Sequence, residues 1–296
     1  MDVGRELLGL ARAGGADSIA VVGTAKNVGK TVTVGAICAA LDAEGTAFGL
    51  ASSGRDGEAV DVIEATPKPR FHLRPGTILA TVATLLPKAA VVEPIEETGE
   101  RGALGPIVIV RVVVAGFFEV AGPSSAAAMR RVVERLAARA PFVLIDGAID
   151  RIATLRGGRD AIVVAVGATS PTLAQVVDDV RGLVARLRLQ RVDMARPFLR
   201  IEGALTAERA AELIGAGEMR QVVVGDPTQA AFGGRVFTAL AQKLDLRCEH
   251  ELRPIACTVA PRGPEGAFEP ATFLQAVAAA TGLPTYDVYA GEAVSP

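Results

Sequence analysis

The segment Ser18-Ile19-Ala20-Val21-Val22-Gly23-Thr24-Ala25-Lys26-Asn27-Val28-Gly29-Lys30-Thr31 constrains this chain most. Its continuous apolar run reads as a buried strand. A loop follows, ends in Gly-Lys-Thr, and passes straight into a helical pattern that runs from about Gly29 to Glu44 and stops at Gly45. Strand, loop and helix in that order form a unit that feeds a parallel sheet. The same unit is a cradle for an anion. Gly29 lets the backbone approach a ligand with no Cβ in the way. The first amides of the helix point at that ligand, and the helix dipole favours negative charge there. Lys30 brings a mobile positive charge, and Thr31 offers the kind of hard oxygen that Mg²⁺ prefers.

The spacing departs from the common form. A standard P-loop has four residues between its first Gly and the Gly-Lys pair. Here five separate Gly23 from Gly29, and Thr24 stands early in the loop. A Gly-containing turn opening an ordinary helix would share some of this pattern, but it would not require the strand before it. The expected phosphate-binding set is Gly23, Thr24, Ala25, Lys26, Asn27, Val28, Gly29, Lys30, Thr31 and Val32. Lys26 reads equally as a phosphate contact and as a solvated loop lysine.

The rest of the chain repeats the rhythm of short apolar runs and helical patterns, the mark of an α/β fold with a mostly parallel, twisted sheet flanked by helices. Strands are expected at Ala47–Ala51, Phe142–Ile145, Ala161–Val166, Phe198–Ile201 and Gln221–Val224. Helices are expected at about Ser124–Ala138, capped by Ser124, at Pro171–Leu187 and at Thr206–Ile214. Residues 76–122 read as a β-rich insertion. In it Thr77–Leu86 and Pro106–Val114 form long strands, and Glu93–Arg101 forms an acidic loop between them. The expected domain is 1–245, with 246–296 a β-α-β extension packed on it, its helix near Glu269–Ala280.

Ligands of open parallel sheets bind beyond the carboxyl ends of the strands. That rule nominates Asp146, which ends an apolar strand and would hold Mg²⁺ or its water; a turn cap is the plainer reading. Asp56 follows the second strand and reads equally as a metal or catalytic carboxylate and as part of an Asp-Gly turn. Glu119 is a charge in an otherwise apolar strand, suited to the metal set or to an exposed edge. Asp226 and Pro227 end a late strand, where they would bracket a nucleotide base or form an Asp-Pro turn. The expected catalytic set is therefore Lys30, Asp146 and Asp56, and the expected metal set is Thr31, Asp146, Asp56 and Glu119.

Composition excludes several classes. The 296 residues carry a net charge of -2, which argues against general affinity for nucleic acid or an anionic membrane. With His72 and His250 the only histidines, catalysis centred on a histidine base is not expected. Met1–Ala16 reads as a short charged helix, not a signal peptide, and Pro106–Gly122 is too short and too charged for a membrane span. The three cysteines suit a reducing compartment, so a cytoplasmic location is expected. Cys248, His250 and Cys257 match no familiar zinc spacing.

With five residues between its glycines, Gly-Thr-Ala-Lys-Asn-Val-Gly-Lys-Thr resembles the P-loop of dethiobiotin synthetase and its relatives. Val143-Leu144-Ile145-Asp146-Gly147-Ala148 resembles the strand of that family whose acid binds Mg²⁺, and Asp160–Gly167 resembles the next strand. A closer likeness is to the small ATPase subunit of the lysine and ornithine aminomutase reactivases. It is carried by Ala25–Thr31, Gly54-Arg55-Asp56-Gly57-Glu58, Pro75-Gly76-Thr77 and Ile145–Arg151. These resemblances imply a P-loop NTPase that uses ATP and Mg²⁺. They imply as partners a MutS-like subunit and a B12- and PLP-dependent aminomutase whose damaged cobalamin is exchanged; a homodimer is a further expectation. An ATP-dependent ligase or kinase of the synthetase type, and a nucleotide switch or partitioning ATPase, are the alternatives.

Overall fold

The computed structural model describes residues 1–53, 70–87, 91–147, 160–263 and 265–296. They form two compact units, one of Asp2–Val22 with Lys30–Arg156, the other of Met1 and Gly23–Gly29 with Gly157–Pro296. Both are α/β, each with a mostly parallel sheet that ends in antiparallel strands.

The first unit runs α1 (Val3–Ala13), β1 (Ser18–Gly23), α2 (Lys30–Ala43), β2 (Phe48–Ser52), β3 (Arg70–Leu73), β4 (Ile78–Val82), β5 (Val92–Gly102), β6 (Gly105–Val112), β7 (Gly116–Glu119), α3 (Ala126–Ala137) and β8 (Phe142–Gly147). Its sheet has the order β1-β8-β2-β4-β6-β5, and β3 and β7 form a separate antiparallel ribbon. Strands β1, β8, β2 and β4 are parallel, while β6 and β5 return antiparallel. Ile19, Val21, Leu144 and Leu50 are fully buried, as expected where helices cover both faces of parallel strands. Asp2 caps α1 by accepting from Arg5 N at 3.1 Å, and Gly45, at φ 67°, ends α2.

The 76–122 segment supplies β4 to β7, and β4 pairs in parallel with β2 (Gly49 opposite Ile78), so the segment widens the main sheet. Two expectations for this unit change. The acidic run Glu93–Arg101 is not a loop; it is most of β5, the edge strand paired with β6. Its carboxylates are held by arginines remote in sequence. Glu93 pairs with Arg111 at 2.7 Å, Glu96 with both Arg135 and Arg139, and Glu100 with Arg131 at 2.6 Å. Charges, Pro94 and register shifts on one edge also keep it from pairing with another chain. The cap of α3 is Ser125, whose Oγ accepts from Ala128 N at 3.2 Å, and not Ser124.

Glu96 is the bolt between β5 and α3, since one carboxylate there binds two arginines. Glu96→Gln should lower the urea-unfolding free energy by about 1 kcal/mol. Glu93→Gln, where both partners of the pair are about half exposed, should leave it unchanged. Equal losses in the two variants would show that the bolt is no stronger than an ordinary surface pair.

The second unit runs β9 (Asp160–Gly167), α4 (Leu173–Leu187), β10 (Phe198–Arg200), α5 (Ala207–Gly215), β11 (Gln221–Val224), α6 (Gly234–Ala241), β12 (Leu246–Cys248), β13 (Arg253–Ala260), β14 (Arg262–Gly263), β15 (Gly266–Ala267), α7 (Pro270–Thr281), β16 (Thr285–Asp287) and β17 (Glu292–Val294). Strands β9, β13 and β16 are parallel and β17 closes antiparallel on β16. A parallel three-stranded sheet, β10-β11-β12, has its own core of Leu205, Val222, Val224, Phe237 and Cys248. Residues 246–296 add β13, β16 and β17 to this sheet on one side of β9, with α7 between β13 and β16. Among the described residues no helix is long and apolar enough to cross a membrane.

Candidate functional site

The site is built where β1 and β8 end. The two strands pair in parallel with Val21 opposite Asp146, and β8 pairs on its other side with β2, Ser52 opposite Asp146. Asp146 therefore sits at the carboxyl end of a buried strand, beside the end of β1. The amide of Ser53 donates to the Asp146 carbonyl at 2.7 Å and ties down the end of β2. Both Ser52 and Ser53 are buried. Their position directly after a strand was the available signal for them.

Lys30 is the first residue of α2, and its ammonium and the Asp146 carboxylate act on each other's ionisation. Burial lowers the lysine pKa, with Asp146 opposing the shift. Burial raises the Asp146 carboxyl to about 6, with Lys30 opposing that shift. The Asp146 Oδ1 is sealed from solvent and has no hydrogen-bond partner among the described residues. Such an orphan is costly, of order 1–3 kcal/mol, and calls for a reason. The turn after Gly147, which an Asp146 cap would serve, lies outside the described residues.

The connecting loop makes its contacts in the second unit. Thr24 N donates to Ala165 O at 3.0 Å, while Thr24 Oγ1 is buried with no hydrogen-bond partner among the described residues. Asn27 (φ 58°) and Gly29 (φ 89°) are both left-handed, and Asn27 is the one described non-glycine residue with positive φ. Val28 is 1% exposed and lies against Gly167, where a Cβ would stand 3.0 Å from Val28 Cα. Its side chain anchors the loop, so only its backbone can face a ligand. Ala25, Lys26 and Asn27 are exposed, Gly23, Thr24, Gly29, Lys30 and Thr31 are half-buried, and Val32 is exposed in the first turn of α2.

The other nominated residues lie elsewhere or serve other bonds. Asp56, with Arg55 and Glu58, falls outside the described residues. Glu119 stands opposite Arg70 in the β3–β7 ribbon, and its Oε1 accepts from that guanidinium at 3.1 and 3.3 Å. That pairing makes it a structural partner of the ribbon. Asp226 accepts at Oδ1 from Thr228 N (2.8 Å) and Thr228 Oγ1 (2.5 Å), capping the 3-10 turn Pro227–Gln229. The Asp-Pro turn is therefore formed, with Pro227 buried in it. The three cysteines are buried, and burial pushes the Cys248 and Cys257 thiols up to about 12.

Among the described residues, no three His, Cys, Asp or Glu side chains gather into a metal cage. Magnesium does not need one, since it takes one or two carboxylates beside phosphate oxygens and water. The orphaned Asp146 Oδ1 and the Thr31 hydroxyl fit that demand. Comparison with family models, with curated proteins and with solved structures returned no match.

Proposed function

We propose that this chain binds ATP with Mg²⁺ at the loop 23–31 and hydrolyses it. One observation supports the reading: a buried carboxylate oxygen of Asp146 at the end of β8 has no hydrogen-bond partner among the described residues, and its charge acts on Lys30, the residue that opens α2 after the loop. That arrangement suits a site completed by a cation and an anion together.

Each residue has a distinct task in this reading. Backbone amides of the loop and of the first turn of α2 hold the phosphate chain. Lys30 places its charge on the outer phosphates, and Thr31 and Asp146 hold the metal. Bound Mg²⁺ would neutralise phosphate oxygens as charge shifts between them. Phosphoryl transfer asks a protein mainly for positioning and charge neutralisation, so the lack of a histidine base is no obstacle. The resemblance to aminomutase reactivases extends the reading. The energy would drive cobalamin exchange on a B12-dependent aminomutase, with a MutS-like partner.

Phosphate release from Mg·ATP by the purified chain tests the first part. Its stimulation by inactivated aminomutase and the MutS-like protein, with recovery of mutase activity, tests the second. Turnover indifferent to both proteins, with no recovery, would sink the reactivase reading. Turnover that instead needs a diamino acid and bicarbonate would move the chain to the synthetase-type ligases.

A further inference from the structure

Chain ends of three strands converge on the loop. Gly167 ends β9 against Val28. A Cβ on Gly29 would lie 3.4 Å from the Cβ of Ala260, which ends β13. It would lie 3.7 and 3.8 Å from Oη and Cε2 of Tyr289, just beyond β16. The hydroxyl end of the Tyr289 ring thus borders the glycine that precedes Lys30.

Tyr289 is held on a built turn. Asp287, 2% exposed, accepts at Oδ1 from Tyr289 N at 2.8 Å and Ala290 N at 3.0 Å, and its carbonyl accepts from Gly291 N at 2.9 Å. Yet the tyrosine itself is 61% exposed. A scattered exposed ring needs no explanation. This one is pinned by its backbone and set beside Gly29 of the loop.

We propose that Tyr289 is the platform on which the base of the bound nucleotide stacks. The inference rests on the nucleotide reading above and names the residue that holds the other end of that ligand. Phosphates lie on the loop, and ribose and base must leave it past a neighbouring wall. In parallel sheets that wall is made by loops at the strands' carboxyl ends, here those of β13 and β16. A base presents a flat apolar face, which an exposed, pre-positioned aromatic ring covers well. Partial burial first, and the Asp287 carboxylate second, raise the phenol pKa, so the ring stays neutral beside polyphosphate.

Stacking is tolerant of base identity, so ATP and GTP should respond alike. The test is calorimetric binding of Mg·ATP, Mg·GTP and Mg·tripolyphosphate to wild type, Tyr289→Ala and Tyr289→Phe, with matched thermal melts as the folding control. Tyr289→Ala should weaken both nucleotides by roughly 5- to 100-fold, the loss of one stacked ring, and leave tripolyphosphate unchanged. Tyr289→Phe should bind all three like wild type. The chain has no tryptophan and two tyrosines, and Tyr286 is buried, so tyrosine emission should respond to ATP in wild type and not in Tyr289→Phe. Nucleotide affinity unchanged in Tyr289→Ala overturns the inference alone. So does an equal loss of tripolyphosphate, or a Phe variant as weak as the Ala variant, since either outcome puts the hydroxyl on phosphate. A wild-type chain that binds neither nucleotide nor tripolyphosphate overturns the nucleotide reading, and this inference with it.

Discussion

Lys30→Ala is expected to reduce Mg·ATP affinity by about 100-fold or more, a loss of ~3 kcal/mol. The lysine is partly desolvated before any ligand arrives, which lowers its pKa. Part of the cost of bringing its charge to the phosphates is therefore already met by folding. A charge-assisted hydrogen bond in such a place is stronger than one in water. The variant should fold, because alanine is a good helix former at the first position of α2 and Asp146, left without the cation, can keep its proton and stay neutral. One side effect identifies the mechanism. Asp146 loses the charge that opposes its burial, so its carboxyl should titrate above about 6 in the variant. Isothermal titration with Mg·ATP reads the first effect, and a carboxyl-resolved NMR titration reads the second. Wild-type affinity in the folded variant would refute the phosphate-loop reading.

Asp146→Asn should separate binding from turnover and raise stability at the same time. Loss of the metal-side carboxylate is expected to cut Mg²⁺-dependent phosphate release roughly 100-fold while ATP alone still binds. The stability effect follows from the raised carboxyl. In the unfolded chain it titrates near 3.8, in the folded apoprotein near 6. Between those values the folded state keeps a proton that the unfolded state has released. Apoprotein stability therefore falls as pH rises from about 4 to 6 and stays lower above that, by up to ~3 kcal/mol. Asparagine has no charge to bury, so the variant should lose this slope and melt higher than wild type at pH 8. Added Mg·ATP should reverse the order, because only wild type has the carboxylate to be stabilised by it. Thermal melts across pH 4–8, with and without Mg·ATP, decide the matter. Parallel melting curves at every pH would leave Asp146 without a functional burial cost.

Where a feature depends on near neighbours in the chain, the residues themselves were informative. The buried runs of β1, β8 and β9 and the stop of α2 at Gly45 all follow from local pattern. So does the place of Asp146, because an apolar strand ending in a carboxylate brings that carboxylate to the carboxyl edge of any parallel sheet. Glu93–Arg101 is the instructive contrast. Read locally, a run so rich in acids looks like loop. It becomes β5 because Arg111 on β6 and Arg131, Arg135 and Arg139 on or just past α3 meet its carboxylates.

The sequence by itself determined the βα rhythm, the glycine-flanked loop with Lys30 at its end, and the carboxylate on the neighbouring strand. Each is a matter of backbone preference or burial period within a few residues. Only the tertiary structure showed that Glu119 meets Arg70, that Asp226 caps its own turn, that Asp146 Oδ1 has no hydrogen-bond partner among the described residues and that Tyr289 stands beside Gly29. Hydrogen-bond satisfaction and side-chain approach depend on which distant segments the fold brings within a few ångströms, and no local pattern carries that information.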